Sequence, residues 1–253
     1  MTTLVLFASG NPSIPKIYND FFKQLELKNS KLQVHEIPFY TVANSLEEAY
    51  LENLFEMNAR KVQHIINEGH FKQVYLVGHS IGCTFILSQY EKLKDIVDKS
   101  ILIHPFIKPV GSNYLFLKII ENRILNNILL YFLFVVSFIK PLFSFFNRCY
   151  LKNNSKVDLV VKGMSTKGFL ALLFKVTSNY ISYYKGQNLF KVAQAIPEGK
   201  VHYIFSPKDF WCPKNQWVDY PQKSKQIIEV NHDFCLWPEQ CEIMAKTLGP
   251  SLV

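Results

Sequence analysis

A serine hydroxyl becomes a useful nucleophile only when a base removes its proton and an acid holds that base in place. This chain of 253 residues offers such a set in one chain order: Ser80 within Gly78-His79-Ser80-Ile81-Gly82, Asp209 after Ser206-Pro207-Lys208, and His232 within Asn231-His232-Asp233. The chemistry would be acyl transfer, with Ser80 attacking a carbonyl carbon, His232 carrying the proton and Asp209 orienting the ring. Among the seven histidines, His35, His64, His70 and His79 precede the serine, His104 ends an apolar run and His202 lies inside one. His79 is expected to point away from the nucleophile. Asp219, Asp233 and Asp158 remain alternative acids.

These residues need elements to carry them. Residues 74–77 form a short apolar run and residues 81–90 have helical spacing, so the serine lies where a strand turns abruptly into a helix. G-x-S-x-G in that setting is the nucleophile elbow of α/β-hydrolases, and glycines at 78 and 82 leave room for a strained turn. The helix start aims its amides at a developing oxyanion, that of Ile81 first. A second oxyanion amide is expected from the turn Ser9-Gly10-Asn11-Pro12-Ser13, at Asn11.

Strands are expected at 3–8, 32–37, 74–77, 98–104, 200–205 and 226–230, with helices over 15–27, 45–67, 169–184 and 237–248 between and after them. The long second helix opens on Ser45-Leu46-Glu47-Glu48, a capping box. Alternation of this kind implies an α/β fold with a mostly parallel sheet covered on both faces. Residues 1–105 and 187–253 would make the core, and 106–186 a helical apolar cap or lipid-surface insertion. Within it, 127–139 carries no charge and Pro141 follows; the run is too short to span a bilayer, but 114–146 could lie on a lipid surface or roof the site.

The formal charge is +8 and the pI about 9.1, yet the lysines are scattered singly. No nucleic acid partner is expected on that pattern, and an anionic membrane surface suits the charge better. The five cysteines form no C-x-x-C pair, and residues 1–7 lack the basic start of a signal peptide, so a non-secreted protein with reduced thiols is expected. No metal or cofactor is expected either, because no His, Cys or carboxylate cluster has ligand spacing.

S-G-N-P at 9–12 followed by aromatics at 18, 21 and 22, G-H-S-I-G at 78–82, K-D-x-W-x-P at 208–213 and N-H-D-F at 231–234 resemble the lipid droplet-associated hydrolases, serine lipid hydrolases of the α/β fold. The resemblance runs over essentially the whole chain and extends to the apolar insertion between the fourth and fifth strands. It implies a Ser80, Asp209, His232 triad with Asn11 and Ile81 amides as oxyanion hole. It also implies a neutral lipid ester substrate, sterol esters among them, at the droplet and endoplasmic reticulum surface on the cytosolic side. The first strand matches the third of the usual fold, so the leading antiparallel strands are expected to be missing. A lipid-surface tether with little turnover, or an acyltransferase using the same triad, are the alternative readings.

Overall fold

Apolar residues on both sides of a strand mark it as central, and residues 4–8 are buried at every position. In the computed structural model, which describes residues 2–11, 13–14, 16–38, 50–108, 111–122, 124–128, 131, 145, 149, 156, 159, 176–221 and 224–252, this strand sits inside one sheet. Among the described residues the sheet has six strands: β1 (Thr2–Ala8), β2 (Leu32–Ile37), β3 (Phe71–His79), β4 (Lys99–Ile103), β5 (Val201–Phe205) and β6 (Lys225–Ile227). They lie in the order β2-β1-β3-β4-β5-β6, and every neighbouring pair is parallel. The expected α/β-hydrolase architecture is therefore present, without an antiparallel pair among the described strands.

The two-residue period of the strands divides the interior. Leu4, Leu6 and Ala8 face one layer, where α2 (Leu51–Glu68), α3 (Ile81–Ser88) and helices after residue 106 bury their apolar sides. Val5 and Phe7 face the other, packed by α1 (Asn19–Lys28) and the C-terminal helix α8 (Pro238–Leu248). Phe21 of α1 meets Phe234 at 5.3 Å between ring centroids, edge to face, which joins the first helix to the segment carrying His232.

On the same face of the sheet as α2 and α3 lie α4 (Tyr90–Leu93), α5 (Gly111–Glu121), α6 (Tyr180–Gly186) and α7 (Leu189–Ala195). Tyr184 of α6 donates to the Phe106 carbonyl at 3.1 Å and shares a 2.8 Å hydrogen bond with Thr84 of α3, so α6 is tied directly behind the elbow. Lys156 is buried and donates to the carbonyls of Ile17 and Cys235, with Asp20 at 3.1 Å, which offsets the cost of burying its charge.

Two expected bounds are corrected. The strand expected at 74–77 begins at Phe71, because Phe71 and Gln73, though partly exposed, pair with Thr2 and Thr3 of β1 across an irregularity at Lys72. The strand expected at 226–230 is Lys225–Ile227: the chain leaves the sheet edge so that Val230 can bury in the α1–α8 layer and its carbonyl can accept from the Ser206 hydroxyl. The expected capping box at 45–48, the uncharged run 127–139 except residues 127, 128 and 131, Pro141 and the start of the 169–184 helix lie outside the described residues.

Candidate active site

The strand-to-helix corner at Ser80 folds as its glycines require. Ser80 has φ 55° and ψ −116°, a left-handed conformation that costs energy for any residue with a side chain. Its amide donates to the Ile103 carbonyl at 3.0 Å, which pins the corner to β4. A Cβ at Gly78 would stand 2.7 Å from Ile86 and 2.8 Å from the Cys83 nitrogen. At Gly82 it would fall on the Ala8 carbonyl of β1. Glycine at both positions lets β3, α3 and β1 approach closely enough to hold the turn.

Asp209 follows β5 and His232 follows β6, and the structure brings both to Ser80. The His232 Nδ1 lies 2.9 Å from Asp209 Oδ1, and its Nε2 lies 3.0 Å from Ser80 Oγ. Burial acts to raise the Asp209 carboxyl, but the adjacent His232 ring and its hydrogen bond, with His104 and the Trp211 amide, outweigh it and hold the group below its ordinary value. Asp209 is therefore an ionised acceptor at neutral pH. It follows that the His232 proton sits on Nδ1, leaving Nε2 to accept from the Ser80 hydroxyl. Asp209 Oδ1 also accepts from the amides of Trp211, at 2.7 Å, and Cys212, at 3.2 Å, so the K-D-x-W-x-P turn holds its own carboxylate. Asp233 precedes a short 3₁₀ turn without a side-chain capping bond, and Asp158 lies outside the described residues.

Asn11 and Ile81 line the same cavity as Ser80 and His232. Ile81 opens α3, so its N–H has no acceptor within the helix. The Asn11 side chain donates to Thr177 at 3.3 Å, linking the turn after β1 to the helical residues 176–178. The cavity measures about 190 Å³, and Phe106, Leu117, Ile120, Tyr180 and Trp211 supply its apolar wall. Among the described lining residues there is no carboxylate, lysine or arginine.

Two histidines set aside in the sequence lie directly beneath this site. The rings of His79 and His104 stand 4.9 Å and 5.6 Å from that of His232. Neither is bonded to Ser80, in keeping with the direction expected for His79, but their contact with His232 had no signal in the sequence. All three offer ring nitrogens within 4.8 Å of one another, a separation from which a metal could be held. Both nitrogens of His79 and of His232 are already engaged in hydrogen bonds, and His104 is stacked at 26° on His232. The cluster has the geometry of packed imidazoles.

Burial, with His232 nearby, lowers His104 to about 4, the Asp209 charge opposing the shift only in part. Above pH 6.5 the ring is neutral folded and unfolded alike; as pH falls below 6.5 the unfolded chain takes up a proton that the folded chain refuses until about pH 4. Stability is therefore lost on acidification, by roughly 3 kcal/mol between pH 7 and 4. Urea unfolding should show the wild type losing that amount relative to His104→Phe over this range. A difference independent of pH would mean that His104 carries its charge in the folded protein.

Solved structures share this architecture. Cfl2 from Burkholderia cenocepacia matches with a TM-score of 0.68 at 11% identity, covering 98% of this chain and 87% of that chain. The epoxide hydrolase VrEH1 from Vigna radiata matches at 0.64 and 12%, covering 98% and 90%. A thioesterase domain from the curacin biosynthetic pathway matches at 0.62 and 10%, covering 98% and 90%. At these identities the likeness is one of fold. No curated protein matches the sequence. The model of the lipid-droplet associated hydrolases, by contrast, matches residues 1–235, from the first strand of the sheet to beyond His232, and the chain belongs to that family of α/β-hydrolases.

Proposed function

We propose that the protein is a serine ester hydrolase that cleaves neutral lipid esters, sterol esters among them, at the surface of a lipid droplet or of the endoplasmic reticulum. The observation that carries this reading is the run Ser80 to His232 to Asp209, bonded at 3.0 Å and 2.9 Å, opening on a cavity with an aromatic and aliphatic wall. In this reading Ser80 Oγ attacks the ester carbonyl as His232 Nε2 takes its proton. The amides of Asn11 and Ile81 receive the oxyanion, and Asp209 stabilises the imidazolium. His232 then protonates the departing alcohol, and a water activated by the same ring releases the acid from the acyl-enzyme.

A cavity of about 190 Å³ is smaller than a pocket for a whole ligand, roughly 300 Å³ or more, so it accepts one limb of a lipid ester. The remainder stays in the lipid phase. Support for contact with that phase comes from exposed apolar side chains in the insertion: Leu115, Ile124, Ile128, Tyr131 and Phe145 are each at least 60% exposed, and Phe210 beside the Asp209 turn is 55% exposed. No helix among the described residues is long and apolar enough to cross a membrane.

The test is release of fatty acid from an emulsified uncharged ester by wild type and Ser80→Ala. Release by the wild type alone is expected, rising when the ester passes from dispersed molecules to droplets. Equal release by the two proteins would remove the reading.

A further inference from the structure

Asn11 and His232 are more than two hundred residues apart, and the roles proposed for them require one to receive charge while the other moves a proton. The structure holds a continuous run of hydrogen bonds between their two loops. The Gly10 amide donates to the Tyr18 oxygen at 3.0 Å, the Tyr18 hydroxyl lies 2.7 Å from His79 Nδ1, and His79 Nε2 lies 2.9 Å from the His232 main-chain carbonyl. Tyr18 and His79 are both buried, so the run is shielded from water. A Cβ at Gly10 would stand 2.7 Å from His79 Nδ1 and 3.0 Å from the Tyr18 oxygen, so the run closes only over glycine.

The direction of every bond follows from valence. A carbonyl can only accept, so His79 Nε2 carries a proton. Burial, together with the neighbouring His232 and His104, holds His79 well below its ordinary value, so it is neutral and Nδ1 carries none. Nδ1 therefore accepts, and the Tyr18 hydroxyl donates to it while its oxygen receives the Gly10 N–H. A phenylalanine at 18 would break the run, and a protonated ring at 79 would reverse its bond to Tyr18.

We infer that Tyr18 and His79 are positioning residues, a fixed hydrogen-bonded strut that sets the His232 loop against the Gly10–Asn11 loop. The inference rests on the reading of Ser80, His232 and the Asn11 amide given above. The strut holds the peptide that carries the base, so it governs how closely Nε2 meets the serine hydroxyl. A neutral strut also spares the imidazolium a second cation 4.9 Å away at the moment it forms.

The test has two arms. In the first, kcat and KM for a soluble short-chain nitrophenyl ester are measured with Tyr18→Phe, His79→Leu and His79→Gln. Misplacement of a reacting group by about 1 Å costs on the order of 100-fold, so kcat should fall about 30-fold in Tyr18→Phe and 100-fold in His79→Leu with KM within about twofold. His79→Gln, whose amide can still donate to the His232 carbonyl, should recover about tenfold over leucine. In the second, nitrogen NMR of the histidine rings should show His79 protonated on Nε2 and bare on Nδ1, with the Nδ1 resonance shifting in Tyr18→Phe as its hydrogen bond is lost.

A kcat within twofold of wild type in Tyr18→Phe, or glutamine no better than leucine, would overturn the inference; so would a proton on His79 Nδ1. The NMR arm needs no turnover, and Ser80→Ala supplies the remaining distinction. If Ser80→Ala is as active as the wild type, the triad reading has failed. If it is inactive while Tyr18→Phe is fully active, only the strut has.

Discussion

Replacing Asp209 by Ala will lower kcat for a soluble ester on the order of 10⁴-fold, and replacing it by Asn will lower it about tenfold less. The order of the two variants comes from the bonds that Oδ1 makes. It accepts from His232 Nδ1 and from the amides of Trp211 and Cys212 at once. An asparagine must therefore turn its carbonyl toward those donors, because its NH₂ would face two N–H groups. The proton stays on His232 Nδ1 and the ring keeps its orientation, but the negative charge that stabilises the imidazolium is gone. Alanine removes the charge and leaves all three donors without their acceptor. Steady-state rates decide the matter: two variants equally slow would mean that Asp209 contributes its charge alone, and two near wild type would remove it from the reaction.

Gly82→Ala will destabilise the fold by about 4 kcal/mol or more, enough to leave little soluble protein. The added carbon falls on the Ala8 carbonyl and stands 2.8 Å from the Ala8 carbonyl carbon, both main-chain atoms of a central strand. Neither can swing aside as a side-chain end could. Gly249→Ala is the control, since nothing lies within 4 Å of a Cβ there and its stability should stay within about 0.5 kcal/mol. Thermal unfolding of the pair measures the effect. Similar melting temperatures would show that α3 and β1 are not held at the spacing required by the elbow.

Much of this geometry was legible in the chain because steric and covalent constraints act over a few residues. The turn at Ser80 has to have small neighbours, and a strand ending in an apolar run before it leaves few other conformations. The two side chains bonded in a run to Ser80 were legible by order, since β5 and β6 each end one loop before one of them. The limits of β6 were not, because beyond Ile227 the chain keeps strand-like features: Ile228 still bonds the Phe205 carbonyl and Val230 is buried as a strand residue would be.

Contacts formed between distant segments left no trace. Tyr18 reads as one more core aromatic at helical spacing, 61 residues from His79, and only the folded chain shows its hydroxyl meeting that ring. Thr177, in a run of ordinary residues, is brought to Asn11 in the same way. His104 looks like the end of an apolar strand; its φ of 48° and its stacking on His232 come from the neighbouring loop. Periodicity reports which face of an element is buried, not which polar atoms will meet there.

The most direct measurement is peptide mapping after reaction with a fluorophosphonate, which forms a stable adduct only with an activated hydroxyl. The adduct should appear on the peptide containing Ser80, vanish in Ser80→Ala, and form far more slowly in His232→Ala. An adduct on any other residue, or undiminished labelling of Ser80→Ala, would contradict the account.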